Sequence, residues 1–419
     1  MKRIAAAKWE TQHLGDIAEF RNGVNYNKSS FGKGVKVVGV SNFQDYTKPD
    51  YSELEQINPD GIVTDRNILC DGDIVFVRSN GNRNLIGRSL FIEQPPEEVT
   101  HSAFTIRLRF ITHDVFPKFY AYFFRSQTVR QSLSAFGGGT NISNLNQDIL
   151  SALDVPIPPL PVQQRIAGIL SAYDDRIENC QRRIKILEEM ARALYREWFI
   201  NFRFPGHQKI KLVHSPLGPI PHGWEVKTVA ESFDISGGGT PSRKEPEYWE
   251  GGTIQWFAPS DLTAASSMFM DDSGERITDV GLAKSSARLF PNRSVMLTSR
   301  ATIGAIAINT HEACTNQGFI TCLPNECAPL FFLFHWVTEN VPTFQRMASG
   351  ATFKEISRGV FKTIEFLQPP RKLVHRFESV VEPMSEQLLA LQRQSQNLRQ
   401  TRDLLLPRLL SGQIKLKEN

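Results

Sequence analysis

The chain has 419 residues, of which 41% are hydrophobic, 22% charged and 10% aromatic. This is the composition of an ordinary globular protein, and the length allows two or more domains with separate cores. With 48 basic and 44 acidic residues the net charge is +4, which permits a nucleic-acid partner without requiring one.

The N-terminus, the apolar runs and the cysteines favour a cytoplasmic protein. Polar residues follow closely on the charged N-terminus and no long apolar run occurs, so we expect neither a signal peptide nor a membrane span. The five cysteines, an odd number, favour a reducing compartment over a disulfide framework.

The sequence repeats itself with a period of about 213 residues, and such a repeat shapes the whole architecture. The matching pairs are Trp9-Glu10 with Trp224-Glu225, Gly139-Thr140 with Ala351-Thr352, and Pro158-Pro159 with Pro369-Pro370. The two halves therefore share one plan, with insertions the size of loops.

Each half opens with short apolar runs separated by glycine, asparagine, aspartate and proline. In the first half these runs lie at 35–40, 73–77, 86–92 and 103–108. Runs of this length with turn residues between them favour strands with some helix.

The end of the first half is different in kind, since residues 162–199 contain no proline and a single glycine. Apolar or small residues recur there at seven-residue steps in two interleaved series, which is the pattern of a helix that offers one stripe to a partner helix. The end of the second half carries matching series, with polar exceptions at Ser395 and Arg402. The residues predicted to pack between the two helices are Ile166, Leu170, Tyr173, Ile177, Ile184, Leu187, Leu194, Leu388, Leu391, Leu398 and Leu405.

The packing of these stripes and the extent of the second helix are open in the sequence. Each stripe could instead pack on its own globular domain, as most amphipathic helices do. Pro383 is expected to break or to start the second helix, and Pro407 is expected to end it.

Sequence motifs for catalysis are missing. The chain contains no P-loop, no amino-methyltransferase motif and no dinucleotide fingerprint, so we expect no catalytic centre. Four residues have the chemistry of a zinc site, namely His311, Cys314, Cys322 and Cys327. Because their spacing is not that of a zinc knuckle and their surroundings are apolar, buried strand residues are the favoured interpretation, and we predict no metal site.

Glycine clusters occur in both halves, at 137–141 (GGGTN) and 237–240 (GGGT). The backbone amides of such a loop can approach a phosphate closely. A flexible turn between strands is the other interpretation.

Residues able to read DNA bases concentrate in loops after predicted strands. Arginine suits guanine, and asparagine or glutamine suits adenine. The candidates in the first half are Ser41, Asn42, Arg78, Asn80, Asn82, Arg83, Asn84, Arg88, Thr140 and Asn141. Those in the second half, at places related by the repeat, are Ser260, Asp261, Arg300, Thr302, Thr352 and Lys354. Each residue alone could be a solvated loop residue, but together they form a candidate DNA-binding set.

Four segments in this order resemble the specificity subunits of type I restriction-modification systems. They are PPLPVQQRIAGIL at 158–170, WFINF at 198–202, PIPHGWE at 219–225 and LLLPRLLSGQI at 404–414. Each motif is weak by itself, but the ordered set spans nearly the whole chain. The second half departs at 371–375 (RKLVH), where the first has LPVQQ at 160–164.

The resemblance implies an α+β fold with two globular mixed α/β target recognition domains in a pseudo-twofold arrangement. Two long helices forming an antiparallel coiled coil would separate them. The expected boundaries are residues 1–157 for the first recognition domain, 158–205 for the first spacer helix with its flanks, 206–368 for the second recognition domain, and 369–419 for the second helix and C-terminal tail.

The resemblance also implies a non-catalytic, sequence-specific DNA-binding subunit that serves DNA methylation and phage defence. Each domain would read one half of a bipartite site in double-stranded DNA, while the helices set the gap and dock two modification (methyltransferase) subunits. Restriction (motor-nuclease) subunits would complete the complex, and S-adenosylmethionine, ATP and magnesium are expected on those partners, with no cofactor in this chain. The alternatives are a specificity subunit of a related defence complex, a stand-alone regulator, or an enzyme with an unrecognised nuclease or methyltransferase site.

Overall fold

The computed structural model describes residues 9–43, 47–135, 145–265, 267–350 and 352–414. The chain forms two compact units: unit 1 consists of Met1–Asn179 and Gln394–Asn419, and unit 2 of Cys180–Arg393. The division falls inside each of the two long helices rather than at their ends. No helix in the described ranges has an apolar stretch long enough to cross a membrane.

Unit 1 mixes short strands and helices. Its strands are β1 (Thr11–His13), β2 (Ala18–Asn22), β3 (Phe31–Val38), β4 (Glu55–Ile57), β5 (Ile74–Val77), β6 (Ser89–Phe91), β7 (Val99–His101), β8 (Thr105–Phe110) and β9 (Asp154–Pro156). Its helices are α1 (Leu14–Ile17), α2 (Pro117–Arg125), α3 (Gln127–Ala135), α4 (Gln147–Ser151) and the first part of α5 (Leu160–Tyr195). The predicted apolar runs overlap β3, β5, β6 and β8, which confirms them as strands with shorter or shifted bounds.

Unit 2 has the same mixture. Its strands are β10 (Leu212–Ser215), β11 (Gly218–Pro221), β12 (Glu225–Thr228), β13 (Ile235–Gly237), β14 (Ile254–Phe257), β15 (Phe269–Met270), β16 (Glu275–Ile277), β17 (Val295–Thr298), β18 (Ile306–Asn309), β19 (Ala313–Thr315), β20 (Phe319–Cys322) and β21 (Glu365–Gln368). Its helices are α6 (Val229–Ser232), α7 (Pro259–Ala265), α8 (Asp279–Ala283), α9 (Leu330–Glu339), α10 (Val341–Met347), α11 (Arg358–Lys362) and most of α12 (Arg371–Leu410).

The strand order carries the repeat. In unit 1 the larger sheet has the order β2-β8-β5-β6 and a smaller one β4-β3-β7, and in unit 2 the corresponding sheets are β13-β20-β17-β18-β15 and β16-β14-β19. Strand β3 is antiparallel to β4 and parallel to β7, and β14 has the same relations to β16 and β19. The sequence repeat is therefore a repeat of topology, with β15 added at one edge.

The central strand of the larger sheet is buried on both faces. On β5, Ile74 and Phe76 join one core, while Val75 and Val77 join another on the opposite face. Strand β17 alternates between two cores in the same way. A strand covered on both faces needs a continuous apolar run, which is why β5 could be predicted from the sequence.

An aromatic-rich helix covers the larger sheet in each unit. The ring of Phe124 on α2 meets that of Phe76 on β5 with 5.0 Å between centroids. In unit 2, helix α9 contributes Phe331, Phe332 and Trp336 to the core that includes β17 and β20. These large rings supply much of the buried apolar area that fixes helix to sheet.

The long helices α5 and α12 contact each other in both units. In unit 1 the Arg402 guanidinium pairs with the Asp174 carboxylate. In unit 2 the Phe377 ring lies 5.9 Å from that of Tyr195 and 5.1 Å from that of Phe199. The first half of α5 thus meets the end of α12, and the end of α5 meets the start of α12. The predicted antiparallel pairing of the helices is therefore confirmed.

The predicted stripe residues fall into two groups by burial. Those that are buried are Ile166, Leu170, Ile177, Leu388 and Leu391, and those that are half-buried are Tyr173, Ile184, Leu187, Leu194, Leu398 and Leu405. Several of them share a core with strands of their own unit. The sequence left open whether each stripe packs on its own domain or on the other helix. Both kinds of packing occur at the helix ends.

The first helix agrees with its prediction, but the predictions for the two prolines are wrong. Helix α5 runs on through a π-helical turn at Arg196–Ile200. Helix α12 begins before Pro383 and continues past Pro407. Each proline deprives the carbonyl four residues earlier, at Ser379 or Asp403, of its amide donor. All four residues are exposed, so water can bind these carbonyls while the buried face keeps the helix packed.

Candidate nucleic-acid interface

In unit 2 the chain after β17 pairs with a distant hairpin. The Ala301 amide donates to the Lys354 carbonyl at 2.9 Å, and the Arg300 Nε atom lies 3.7 Å from a carboxylate oxygen of Glu355. Ala301 has a positive φ of 60°, which turns the chain sharply there. The fold thus brings Arg300 and the adjoining Thr302 next to the segment that contains Lys354 and Glu355.

The hairpin exposes an unusual set of side chains. Ser349 and Glu355 exchange backbone hydrogen bonds of 3.0 and 2.8 Å. At Gly350, with φ of 133°, an added Cβ would lie 2.2 Å from the Phe353 carbonyl oxygen, so glycine is required. Thr352 and Lys354 are exposed, and the Phe353 side chain between them is 57% exposed. A cation beside an exposed aromatic ring is suited to a nucleic-acid partner.

The glycines at 237–240 are packed rather than flexible. A Cβ on Gly238 would lie 2.0 Å from the Asn316 carbonyl oxygen, and one on Gly237 would lie 2.5 Å from the Arg358 Nη1 atom. These glycines border a cleft of 480 Å³ that Arg300, Arg358 and Gln317 also line. Close packing, and not a loose turn, explains the small residues, and two cations converge on the space they leave.

Ser260 and Asp261 lie at the start of α7. The Asp261 carboxylate accepts a hydrogen bond of 2.8 Å from the Ala258 amide, so it stabilises the helix start. An added Cβ on Gly318 would lie 3.5 Å from the side chain of Pro259 and 3.9 Å from that of Arg300. Ser260 is exposed and follows Pro259, which lies near the Arg300 loop. The carboxylate of Asp261 is occupied by its hydrogen bond from the Ala258 amide.

In unit 1 the candidate asparagines build their own loop. The Asn80 side-chain oxygen accepts from the Asn82 amide at 2.7 Å, and that of Asn82 accepts from the Asn84 amide at 3.0 Å. Two-point recognition of adenine needs the oxygen and the nitrogen of the side-chain amide together. Each oxygen already accepts one backbone hydrogen bond, which fixes the side chain, and the NH2 groups of Asn80 and Asn82 can donate to acceptor atoms of bases or phosphates.

Arg88 joins two predicted segments of unit 1. Its Nη1 atom donates to the Phe43 carbonyl at 3.1 Å, and its Nε atom lies 3.4 Å from the Asn84 carbonyl. Ser41 is exposed, and the Asn42 side chain accepts from the Gly39 amide at 2.8 Å. The structure therefore places Ser41 and Asn42 near the Asn84 loop. Thr140, Asn141 and the side chain of Arg83 lie outside the described residues.

Arg78 and Arg300 differ by one position on the repeated frame. The Arg78 amide donates to the Phe104 carbonyl at 2.8 Å, and Ser299 makes the corresponding bond to Gly318 at 2.7 Å. Ser299 is thus the residue that corresponds to Arg78, and Arg300 lies one position later. Arg78 is half-buried, and within the described ranges no hydrogen bond or ion pair engages its side chain.

Comparison with known proteins identifies the family of this chain. Residues 7–189 and 221–376 match the model of the type I restriction modification DNA specificity domain. The chain belongs to this family of specificity subunits. A putative type I restriction enzyme specificity subunit, MjaX of Methanocaldococcus jannaschii, is 24% identical over 98% of this chain and 94% of its own length. The MjaIX specificity subunit of the same organism is 26% identical over 71% of this chain and 69% of its own length.

A solved structure supports the fold of the specificity subunit. The type I restriction-modification S subunit from M. genitalium aligns with a TM-score of 0.60 over 96% of both chains, at 15% sequence identity. At this identity the likeness concerns the fold alone. The predicted family and the predicted mixed fold with long helices are confirmed.

The candidate zinc residues of this specificity subunit occupy separate strands and loops. Cys314 is buried on β19 and its thiol donates to the Gln255 carbonyl at 3.3 Å, and burial raises the pKa of this thiol to about 12. Cys322 is buried on β20. Across the described ranges, no group of histidine, cysteine, aspartate and glutamate side chains could hold a metal ion.

Sequence reasoning missed three residues of the unit 2 site. Arg358 and Gln317 reach the cleft from segments with no motif of their own. Phe353 did carry a signal, because a large apolar residue beside Thr352 and Lys354 in a glycine-containing turn has no local partner to bury it.

Proposed function

We propose that this specificity subunit reads a bipartite site in double-stranded DNA, one half through each unit. The recognition domains are residues 1–157 and 206–368, and the helical segments are 158–205 and 369–419. The observation that carries the proposal is a shared backbone frame with different side chains after the central strands β5 and β17. Equivalent frames with unlike side chains suit two different half-sites.

The side chains on these frames are those that read DNA. Arg78 and the asparagine loop face one half-site, and Arg300, Thr302 and Lys354 face the other. Arginine can make two hydrogen bonds to guanine in the major groove. Exposed lysine and threonine add contacts to phosphates that fix the position of the protein on the duplex.

The paired helices set the gap between the half-sites and dock two modification subunits, which bring S-adenosylmethionine and methylate adenine. Helix α5 exposes Ile186 and Met190, 48% and 49% accessible, one turn apart on the same face. Exposed apolar side chains of this size suit a protein partner. Restriction subunits that use ATP and magnesium complete the complex in the cytoplasm, and this chain contributes recognition without catalysis.

The test is to express the chain with its modification subunits in a host and to sequence the DNA for methylated adenines at single-molecule level. A two-part motif with a fixed gap supports the proposal, and random or absent methylation opposes it. Purified chain incubated alone with DNA, magnesium and S-adenosylmethionine should show no turnover. Cleavage or methylation under those conditions would favour the alternative of an enzyme.

A further inference from the structure

A cleft of 820 Å³ opens in unit 1 beside the loop that carries Asn84. Its walls come from this loop, from the junction of α2 and α3, and from the last turns of α12. The charged residues that line it are Arg88, Arg125, Arg130, Arg399, Arg402 and Asp403. Five guanidinium groups against one carboxylate give the cleft a strong preference for anions.

Arg125 points most directly to a missing ligand. Its Nη1 atom is buried and, among the described residues, meets no hydrogen-bond acceptor. Burial lowers the pKa of Arg125, and the nearby Asp174 carboxylate opposes this change. A buried donor without an acceptor is costly, so an acceptor from outside the chain would stabilise this arrangement.

The other arginines are held in place to different degrees. Arg402 pairs with Asp174 and with Asp403, the carboxylate that lines the cleft, and the Arg130 Nη2 atom donates to the Asn84 carbonyl at 2.8 Å. Arg399 is half-buried, and no carboxylate in the described part of the chain pairs with it. The cleft is therefore partly neutralised on one side and cationic where Arg125 and Arg399 lie.

The first turn of α3 adds a second kind of donor. Gln127 and Thr128 line the cleft, and this nine-residue helix begins at Gln127. Backbone amides of a first helical turn have no partner within the helix. Together with guanidinium groups they suit an anion with several oxygens, and phosphate is the common one.

We propose that this cleft is a phosphate site and that its occupant is a backbone phosphate of the DNA contacted by the loop at 80–88. The inference rests on the proposed DNA-binding function. DNA is favoured over a small phosphorylated molecule because Asn84 and Arg88 belong both to the recognition loop and to the cleft wall. The end of α12, expected to set the gap and to dock modification subunits, then also contributes Arg399 to DNA binding.

The experiment uses the full-length chain and measures DNA binding across a series of salt concentrations. One duplex carries the bipartite site found by methylation sequencing and the other is unrelated. The variant Arg399→Gln is compared with Arg408→Gln, which removes an exposed charge from the same helix outside the cleft. Arg125→Gln is a second variant, with circular dichroism and melting to verify that it folds.

The expected result is a loss of DNA-binding affinity that does not depend on the DNA sequence. Arg399→Gln should lower the slope of log K against log salt by about 0.9 and weaken binding to both duplexes roughly fivefold at physiological salt. Arg408→Gln should change both values much less, and Arg125→Gln should act in the same direction as Arg399→Gln. Equal behaviour of the Arg399 and Arg408 variants would overturn the proposal.

A second arm separates the two sources of phosphate. Inorganic phosphate should compete with DNA for the wild type more strongly than for Arg399→Gln. If ATP raised the melting temperature of the wild type but not of Arg399→Gln, while the salt slope for DNA stayed unchanged, the occupant would be a small molecule and the DNA assignment would be wrong. If the wild type showed no preference for the bipartite duplex, the proposed function would fail, but the slope on unrelated DNA would still test this cleft.

Discussion

The Glu378 carboxylate on α12 accepts a hydrogen bond of 2.7 Å from the backbone amide of Phe332, in the first turn of α9. In unit 1 the Gln163 side chain on α5 accepts one of the same length from the Phe116 amide, at the start of α2. Each long helix therefore holds the aromatic-rich helix of a unit through a first-turn amide that lacks a partner within its own helix. The acid in unit 2 adds a dependence on pH.

Glu378 should make unit 2 less stable as the pH rises. Burial raises the pKa of Glu378 from 4.5 to about 7. Because the folded state holds this proton more tightly, the stabilisation is complete below the ordinary pKa and is lost as the pH rises through 7. Glu378→Gln keeps the acceptor and removes the charge, so it should be more stable than the wild type at pH 8, by about 3 kcal/mol at most, with little advantage at pH 5.

Denaturant titrations followed by tryptophan fluorescence would check this, because five of the six tryptophans lie in unit 2. Glu386→Gln is the control, because it changes a carboxylate on the same helix that is 43% exposed and pairs with Arg293. A difference between the wild type and Glu378→Gln that did not vary with pH would contradict the prediction.

The Asp174 carboxylate should be important for the stability of unit 1. One of its oxygens accepts from the Tyr122 hydroxyl at 2.7 Å and the other pairs with Arg402. The Asp174 and Arg402 side chains are each 15% exposed. Asp174→Asn therefore removes the buried partner of a largely desolvated cation and leaves it only the exposed Asp403 carboxylate, 2.8 Å from its Nη2 atom. We expect a loss of about 3 kcal/mol in the free energy of unfolding, against about 1 kcal/mol for Tyr122→Phe.

Hydrogen exchange of unit 1 amides would measure these losses. The double variant Asp174→Asn with Arg402→Gln should lose less than the sum of the single changes, because the cation that loses its buried partner in the first change is removed by the second. Strict additivity would show that the pair does not stabilise the unit.

Adjacent glycines should respond differently to alanine. At Gly238 the new Cβ meets backbone oxygen, so Gly238→Ala should cost about 1–3 kcal/mol of stability. At Gly237 it meets the end of the flexible Arg358 side chain, which can move. Gly237→Ala should therefore leave the melting temperature nearly unchanged and weaken DNA binding by displacing Arg358. Thermal melts and DNA titrations on both variants would reveal the difference, and full DNA affinity in Gly237→Ala would remove Arg358 from the interface.

Arg78 and Arg300 should act on different half-sites. Each change to alanine is expected to weaken binding by about 1–3 kcal/mol and to relax specificity at one half-site only. Titration with duplexes altered in one half at a time measures this. Glu355→Gln is the control for Arg300, since it breaks the ion pair but leaves the cation. Equal losses on unrelated DNA would mean that the arginine contacts a phosphate.

Patterns that reflect burial were readable from the chain. The repeat, the apolar strands and the helical stripes all record which side chains avoid water, and that preference has the period of the local backbone. The residues of β5 and the buried stripe residues Ile166 and Leu388 follow this rule. Pro383 and Pro407 did not, because their effect on α12 depends on whether the freed carbonyls face water, and the packing of the whole helix decides that.

The meeting of distant segments was decided by the tertiary structure. Arg300 and Lys354 lie in the same loop cluster because backbone pairing joins their segments, and Arg78 corresponds to Ser299 because sheet hydrogen bonds set the frame. Arg125 and Arg399 line one cleft although they belong to different helices far apart in the chain. The sequence by itself determined two repeated domains with long helices, since periodic burial is a local property. Long-range backbone pairing decided which polar side chains share a site, and local periodicity carries no information about such pairing.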